Sequence, residues 1–208
     1  AVSDWARDSL AALVEGGYVS GANGRLNPKS SITRAEFAQV MYTLVGDYVD
    51  QAETVSQINA GNVVIRTAGA TLSNTTVSGD LILADGIGDG DVTLDGVTVE
   101  GRLLIRGGGP NSVHITNSSI EEDVVLENPN GDTRIVTSDS TVGTISVKSG
   151  LILDGDAERI ELMQSADISV QSGTIKEMTI ADAAENAVIT VADGAQVTEI
   201  DVQADGVH

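Results

Sequence analysis

Leu81-Ile82-Leu83, Leu103-Leu104-Ile105, Val124-Val125-Leu126 and Ile145-Ser146-Val147 decide how this chain folds. Each is a short apolar triplet, and each is followed by turn formers: Asp-Gly, Gly-Gly-Gly-Pro, Asn-Pro-Asn-Gly or Ser-Gly. Val63-Val64-Ile65 precedes the series; Met163, Met178-Thr179-Ile180 and Ile200-Asp201-Val202 extend it. The steps between leading residues are 18, 22, 21, 21, 18, 15 and 22. A second strand follows in most units: Val92-Thr93-Leu94, Val113-His114-Ile115, Arg134-Ile135-Val136, Leu151-Ile152-Leu153, Ile168-Ser169-Val170 and Val188-Ile189-Thr190. A third apolar position closes the units at Val77, Ile120, Val142, Ile160, Ile175 and Val197.

Repeats of about twenty residues with three short strands each predict a right-handed parallel β-helix of about seven coils. Alternation with period two puts one side of each strand into a narrow Val/Ile/Leu core. A left-handed helix would show hexapeptide regularity, and leucine-rich repeats would show their Leu/Asn template; neither is present. A β-sandwich is the runner-up. A coil cannot bury its inner face alone, so the coils form one cooperative stack whose end strands need covering. An amphipathic helix runs directly into the first coil and is placed to cap that end. No such helix follows Val202, so the stack is expected to end raw or to continue in a longer protein.

The chain has 208 residues, 31 acidic and 11 basic, a formal net charge of −20. Phosphate binding needs clustered positive charge, so nucleic acid is excluded as a partner. There is no cysteine, and His114 and His208 are far apart, so no metal site or Cys nucleophile is predicted, nor any cofactor. No apolar run is long enough for membrane insertion. All five aromatics fall in the first 48 residues, while residues 49–208 hold 26 acidic and seven basic residues. The expected division is a helical domain at 1–48, a linker at 49–62 and the β-helix at 63–208. The negative charge keeps a Val-rich stack soluble and self-repelling.

In the first domain Ser3 is the expected N-cap of a helix carrying Trp5, Leu10, Leu13 and Val14, stopped by Gly16-Gly17. Asn23-Gly24 and Asn27-Pro28 are turn signals. Thr33-Arg34-Ala35-Glu36 reads as a capping box, with Ile32 and Phe37 as its hydrophobic staple. Phe37, Val40, Met41, Leu44, Val45 and Tyr48 then recur at helical spacing.

Asp4-Trp5-Ala6, the run Ala12 to Gly21, Asn23-Gly24-Arg25-Leu26-Asn27-Pro28 and Ile32 to Phe37 together resemble a surface-layer homology (SLH) repeat. The resemblance covers residues 1 to about 47. It implies an extracellular protein anchored at the bacterial cell wall by secondary cell-wall polysaccharide, often through a pyruvylated sugar. Such repeats usually act in threes around shared grooves, and one is present here. Further repeats outside this chain, or self-association, would complete the unit.

Three residues are candidates for polysaccharide binding. Arg34 is surplus to capping, and a cation at a helix N-terminus is mildly unfavourable there. It suits a sugar carboxylate, and the resemblance makes it a recurrent ligand contact. A lone Trp5 on a short helix is expected in the core; the resemblance puts it near the sugar. Asp4 either supports the first helical turn or accepts sugar hydroxyls.

Other motifs are weak. Asp85 to Asp91 superficially resembles a calcium loop, but its twelfth position is Gly96 and not a bidentate glutamate. Gly107-Gly108-Gly109-Pro110 is a turn; no Gly-Lys-Ser/Thr follows it. Parallel β-helices include polysaccharide lyases and hydrolases, so a wall-anchored carbohydrate-active enzyme is the alternative function. With no aromatic platform after Tyr48 and no defined acid/base pair, the expectation is a non-catalytic surface protein with a β-helical stalk or display domain. Carboxylates aligned on one outer sheet would favour the enzyme; outer surfaces of Thr, Ser and Asn would favour the stalk.

Overall fold

The computed structural model describes residues 2–15, 17–21, 26 and 30–208. They form two compact units, 1–46 and 47–208.

The first unit holds a 3-10 turn, Asp4–Ala6, and two helices, α1 (Arg7–Glu15) and α2 (Arg34–Leu44). The Ala6 N–H donates to Ser3 O at 3.0 Å, which opens the first turn. Gly17 adopts φ +73°, and the N–H groups of Tyr18 and Val19 return to Leu13 O, closing α1. Gly16 and both Asn turn signals lie outside the described residues. The α2 helix stops four residues before the expected Tyr48. Val45 is already extended, φ −112°, and its N–H bonds Met41 O at 3.1 Å. Tyr48 instead belongs to a strand, Asp47–Val49, whose backbone is satisfied by parallel pairing with Val63–Ile65. No residue of α1 or α2 is buried.

The second unit is a parallel β-solenoid of about seven turns, as the repeat predicts. Its long sheet has nine strands in chain order: Asp47–Val49, Val63–Ile65, Leu81–Leu83, Leu103–Ile105, Val124–Leu126, Thr144–Val147, Ala157–Leu162, Thr174–Ile180 and Gln196–Val202. Leu81, Leu103, Val124 and Ile145 are successive register partners. A second sheet of eight strands runs from Thr54–Val55 to Ile189–Val191. A third, of four, comprises Thr76–Val77, Thr98–Val99, Ser119–Ile120 and Thr141–Val142. The leading and closing residues of the triplets from Val63 to Val147 are buried in the core, and Leu81, Leu83, Leu103, Ile105, Val124 and Leu126 have no exposed surface; on the last rung Ile200 and Val202 are exposed. Burying a side chain of this size stabilises by about 1.5–3 kcal/mol.

Four details differ from the expected pattern. Residues 49–62 are not only a link: Thr54–Val55 pairs with Thr71 and Leu72 and opens the second sheet. Ala70–Ser73 is a second-sheet strand too, hidden in the sequence because Ala70 and Thr71 are weakly apolar. Ile160, not Met163, continues the leading column, pairing with Ile145 and Met178. Met163 lies past the strand end and is 41% exposed, so this coil is shorter than its apolar spacing suggests. The last second-sheet strand is Ile189–Val191, one residue later than read, because Ile189 is the partner of Ile168.

The corner after the second sheet explains a sequence regularity. Asn74, Gly96, Asn117 and Asp139 occupy it in successive coils, all with φ between +49° and +67°. Asn and Asp tolerate this left-handed region better than other side chains do, and glycine enters it freely.

Candidate functional site

The start of α2 is the best-formed feature of the first unit. Thr33 is extended at the N-cap, and Glu36 N–H donates to Thr33 Oγ1 at 3.2 Å. Thr33 N–H and its hydroxyl both donate to Glu36 Oε2 at 2.8 Å. The backbone bond, then the side-chain bond, hold the Glu36 carboxyl below its ordinary range. Thr33 and Glu36 are thereby committed to each other. Arg34, the first helical residue, is exposed, and its side chain has no hydrogen-bond or ion-pair partner among the described residues.

Trp5 is 88% exposed, which corrects the expectation of a core tryptophan. Its turn ends after three residues, and with no helix residue buried there is no core for it to enter. Asp4 opens the same turn; its side chain lies outside the described residues. Ile32, Phe37, Met41 and Tyr42 are also between 42% and 78% exposed, while Val40 and Leu44 are half-buried, so much of the apolar surface of α2 is uncovered. A cleft of about 350 Å³ runs between α1 and α2, lined by Tyr18, Ser20, Ser31, Ile32, Glu36 and Gln39 among others. Neither Trp5 nor Arg34 is among its described lining residues. Tyr18 and Gln39 were not singled out from sequence; an aromatic just past a helix stop was the available signal.

On the solenoid, cations serve as ties between rungs. Arg102 pairs with Asp80 at 2.6 Å, Lys148 with Glu127 at 3.3 Å and Arg159 with Glu177 at 2.7 Å. Arg134 likewise pairs with Asp154, and Arg106 bridges Asp85 and Glu127. The Asp85–Ile87 segment of the calcium-like loop is a 3-10 turn that sends Ile87 into the core and gives Asp85 to Arg106. A groove of about 370 Å³ where the third sheet ends is lined by Asp156, Glu158 and Lys176. Both carboxylates are engaged there: Asp156 Oδ1 accepts the Thr174 N–H at 2.8 Å, and Glu158 pairs with Lys176 at 2.6 Å. The third sheet presents Thr76, Thr98, Ser119 and Thr141 outward in one column.

This is a parallel β-solenoid joined to a small helical unit with a capped, cation-bearing helix start. Residues 1–38 match the family model described as the S-layer homology domain. Such a domain implies association with the bacterial cell surface or cell wall, and the solenoid lies outside the match. Comparison of the chain with curated proteins and with solved structures gives no match.

Proposed function

We propose that the chain is a non-catalytic surface protein, held to secondary cell-wall polysaccharide by its S-layer homology domain and displaying the acidic solenoid outside the wall. The observation that carries this reading is Arg34: an exposed cation in the Thr-Arg-Ala-Glu motif, beside a cap already satisfied by Thr33 and Glu36. Free helix N–H groups and a guanidinium side by side match an anionic sugar. The uncovered apolar face of α2 supports assembly with further repeats, since an exposed Phe37–Met41–Tyr42 surface is costly in water. Co-sedimentation with purified wall polymer tests the anchor. Binding should be strong for a chain carrying companion repeats and lost when residues 1–46 are removed. Retention of binding by residues 47–208 alone would sink the reading.

One observation favours the second reading, a wall-anchored carbohydrate-active enzyme. On the last three rungs Glu161, Glu177, Glu199 and Asp201 lie on one outer face of the long sheet. Arg159 pairs with the first two, and Glu199 and Asp201 stand two residues apart on one strand. Carboxylates on one face are the minimum for glycoside chemistry. Release of reducing ends or unsaturated sugars from wall polysaccharide, abolished by Glu199→Gln, would establish it; the display reading expects no release above a blank.

A further inference from the structure

One face of the solenoid carries an arrangement that neither folding nor anchoring uses. The middle residues of the first five long-sheet strands point outward and stack in register: Tyr48, Val64, Ile82, Leu104 and Val125. The column then turns polar, with Ser146, Glu161 and Thr179. In the same coils the second sheet presents Thr71, Thr93, His114 and then Arg134 and Val136 outward, and the third presents Thr76, Thr98 and Ser119, so neither carries a continuous aliphatic column. The aliphatic column is thus confined to one sheet and to its first half. At about 4.8 Å per rung it runs for roughly 19 Å along the solenoid. A contiguous apolar stripe between charged flanks marks a protein interface.

The flanking charges select the occupant. Consider a second copy laid face to face on this sheet, related by a two-fold axis parallel to the strands and passing between the rungs of Ile82 and Leu104. Coil order is reversed, so Ile82 faces Leu104 of the copy and Val64 faces its Val125. On one flank Asp80 faces Arg102. On the other, Arg66 faces Glu127 and Asp50 faces Lys148. These positions each lie two residues before or after the column, in paired rungs. Every facing charged pair is of opposite sign. A two-fold axis along the solenoid would instead set Arg102 against Arg106 and Asp123 against Glu127, and opposed like charges are costly. Arg66 has no ion-pair partner among the described residues, so it is available to a copy.

We infer that this face is the interface of a homodimer in which two solenoids pack sheet to sheet with reversed coil order. The strands of the two sheets then lie within about 30° of each other, as in aligned sheet packing. The patch is at the small end of specific interfaces, so dissociation on the order of micromolar is expected.

Sedimentation of the full chain between about 1 and 100 μM tests this. The expected result is a shift from the 21.4 kDa monomer to twice that mass with concentration. Leu104→Glu and Arg66→Glu should each weaken association at least tenfold, while Thr93→Glu, on the outer face of the second sheet, should leave it intact. If Leu104→Glu fails to fold by circular dichroism, Arg66→Glu decides alone, since it removes no tie within the chain. A chain that stays monomeric throughout overturns the inference. So does association that survives Leu104→Glu and Arg66→Glu, which would place it in the helical unit, or that Thr93→Glu disrupts equally.

Discussion

Arg102 holds Asp80 across one rung of the solenoid, twenty-two residues apart in the chain. Its Nη2 lies 2.6 Å from Asp80 Oδ2, and its backbone N–H donates to Oδ1 at 2.9 Å. One rung back, Asn62 Oδ1 accepts the Asp80 N–H at 2.8 Å. Asn62, Asp80 and Arg102 thus form a column in which a side chain of one coil satisfies the backbone entering the strand of the next. Residues between the sheets are therefore as much a part of the stack as the apolar core.

Burial alone would push the Asp80 carboxyl up, but the Arg102 side-chain and backbone hydrogen bonds and its charge outweigh it and hold the carboxyl below its ordinary value. A carboxyl depressed in the folded state adds stability above its unfolded pKa and loses it as pH falls through the folded value. The contribution should be complete at neutral pH, begin to fall near the unfolded value of about 4 and shrink further as pH drops through the lower folded value. Asp80→Asn should lower stability at pH 7 by about 1 kcal/mol, and the gap to the unsubstituted chain should close in acid. Urea titrations at pH 7 and pH 3 measure both; an equal gap at the two values would refute the assignment.

The column at Ile160 offers a direct test of register. Ile160 is fully buried between Ile145 and Met178, whereas Met163 is 41% exposed. Ile160→Ala should cost about 2–5 kcal/mol through lost burial and a residual cavity. Met163→Ala should change stability by no more than about 0.5 kcal/mol. Comparable losses at both positions would mean the short coil is threaded differently.

The solenoid can be read in the sequence because triplets such as Leu103-Leu104-Ile105 must place two of three side chains inward whatever the turns do. The outer face is harder to read. Leu104 and Ile82 look identical to core residues in the string, and only the pairing of strands shows that they point out. The same ambiguity misplaced Met163 for Ile160: Met163 adjoins Leu162 and looks like a strand core, whereas Ile160 stands between Arg159 and Glu161 and reads as a lone closing position. The capping box at Thr33 and Glu36 is local and therefore legible. The exposure of Trp5 is not, because it depends on what packs against its turn in three dimensions, and no residue of α1 or α2 is buried.

Gly96 tests the corner. Its φ is +67°, and a Cβ there would come within 2.9 Å of Asn74 Oδ1, the movable end of a side chain. Gly96→Ala should destabilise by about 1–2 kcal/mol through left-handed backbone strain. Gly96→Asn should cost less, because Asn74 and Asn117 already adopt this conformation one coil away on either side. Thermal melts of the two variants compare them; Ala tolerated as well as Asn would show that the corner is not held at positive φ.

Arg34 and Thr33 are neighbours with separable roles, and their substitutions should dissociate binding from stability. The Thr33 hydroxyl accepts the Glu36 N–H and closes the capping box, so Thr33→Ala should lower stability by about 1 kcal/mol. The Arg34 side chain has no partner among the described residues, so Arg34→Ala should leave the melting temperature nearly unchanged. A charge-assisted hydrogen bond to a sugar carboxylate contributes roughly 1.5–3 kcal/mol, which corresponds to about a ten- to hundredfold loss of affinity for wall polymer in Arg34→Ala. Arg34→Lys should recover part of it, because an ammonium keeps the charge but not the fork geometry. The measurement belongs in a chain that carries its companion repeats, where the uncovered face of α2 has neighbours to pack against. If Arg34→Ala binds normally there, or melts as Thr33→Ala does, the guanidinium serves the fold and not the polymer.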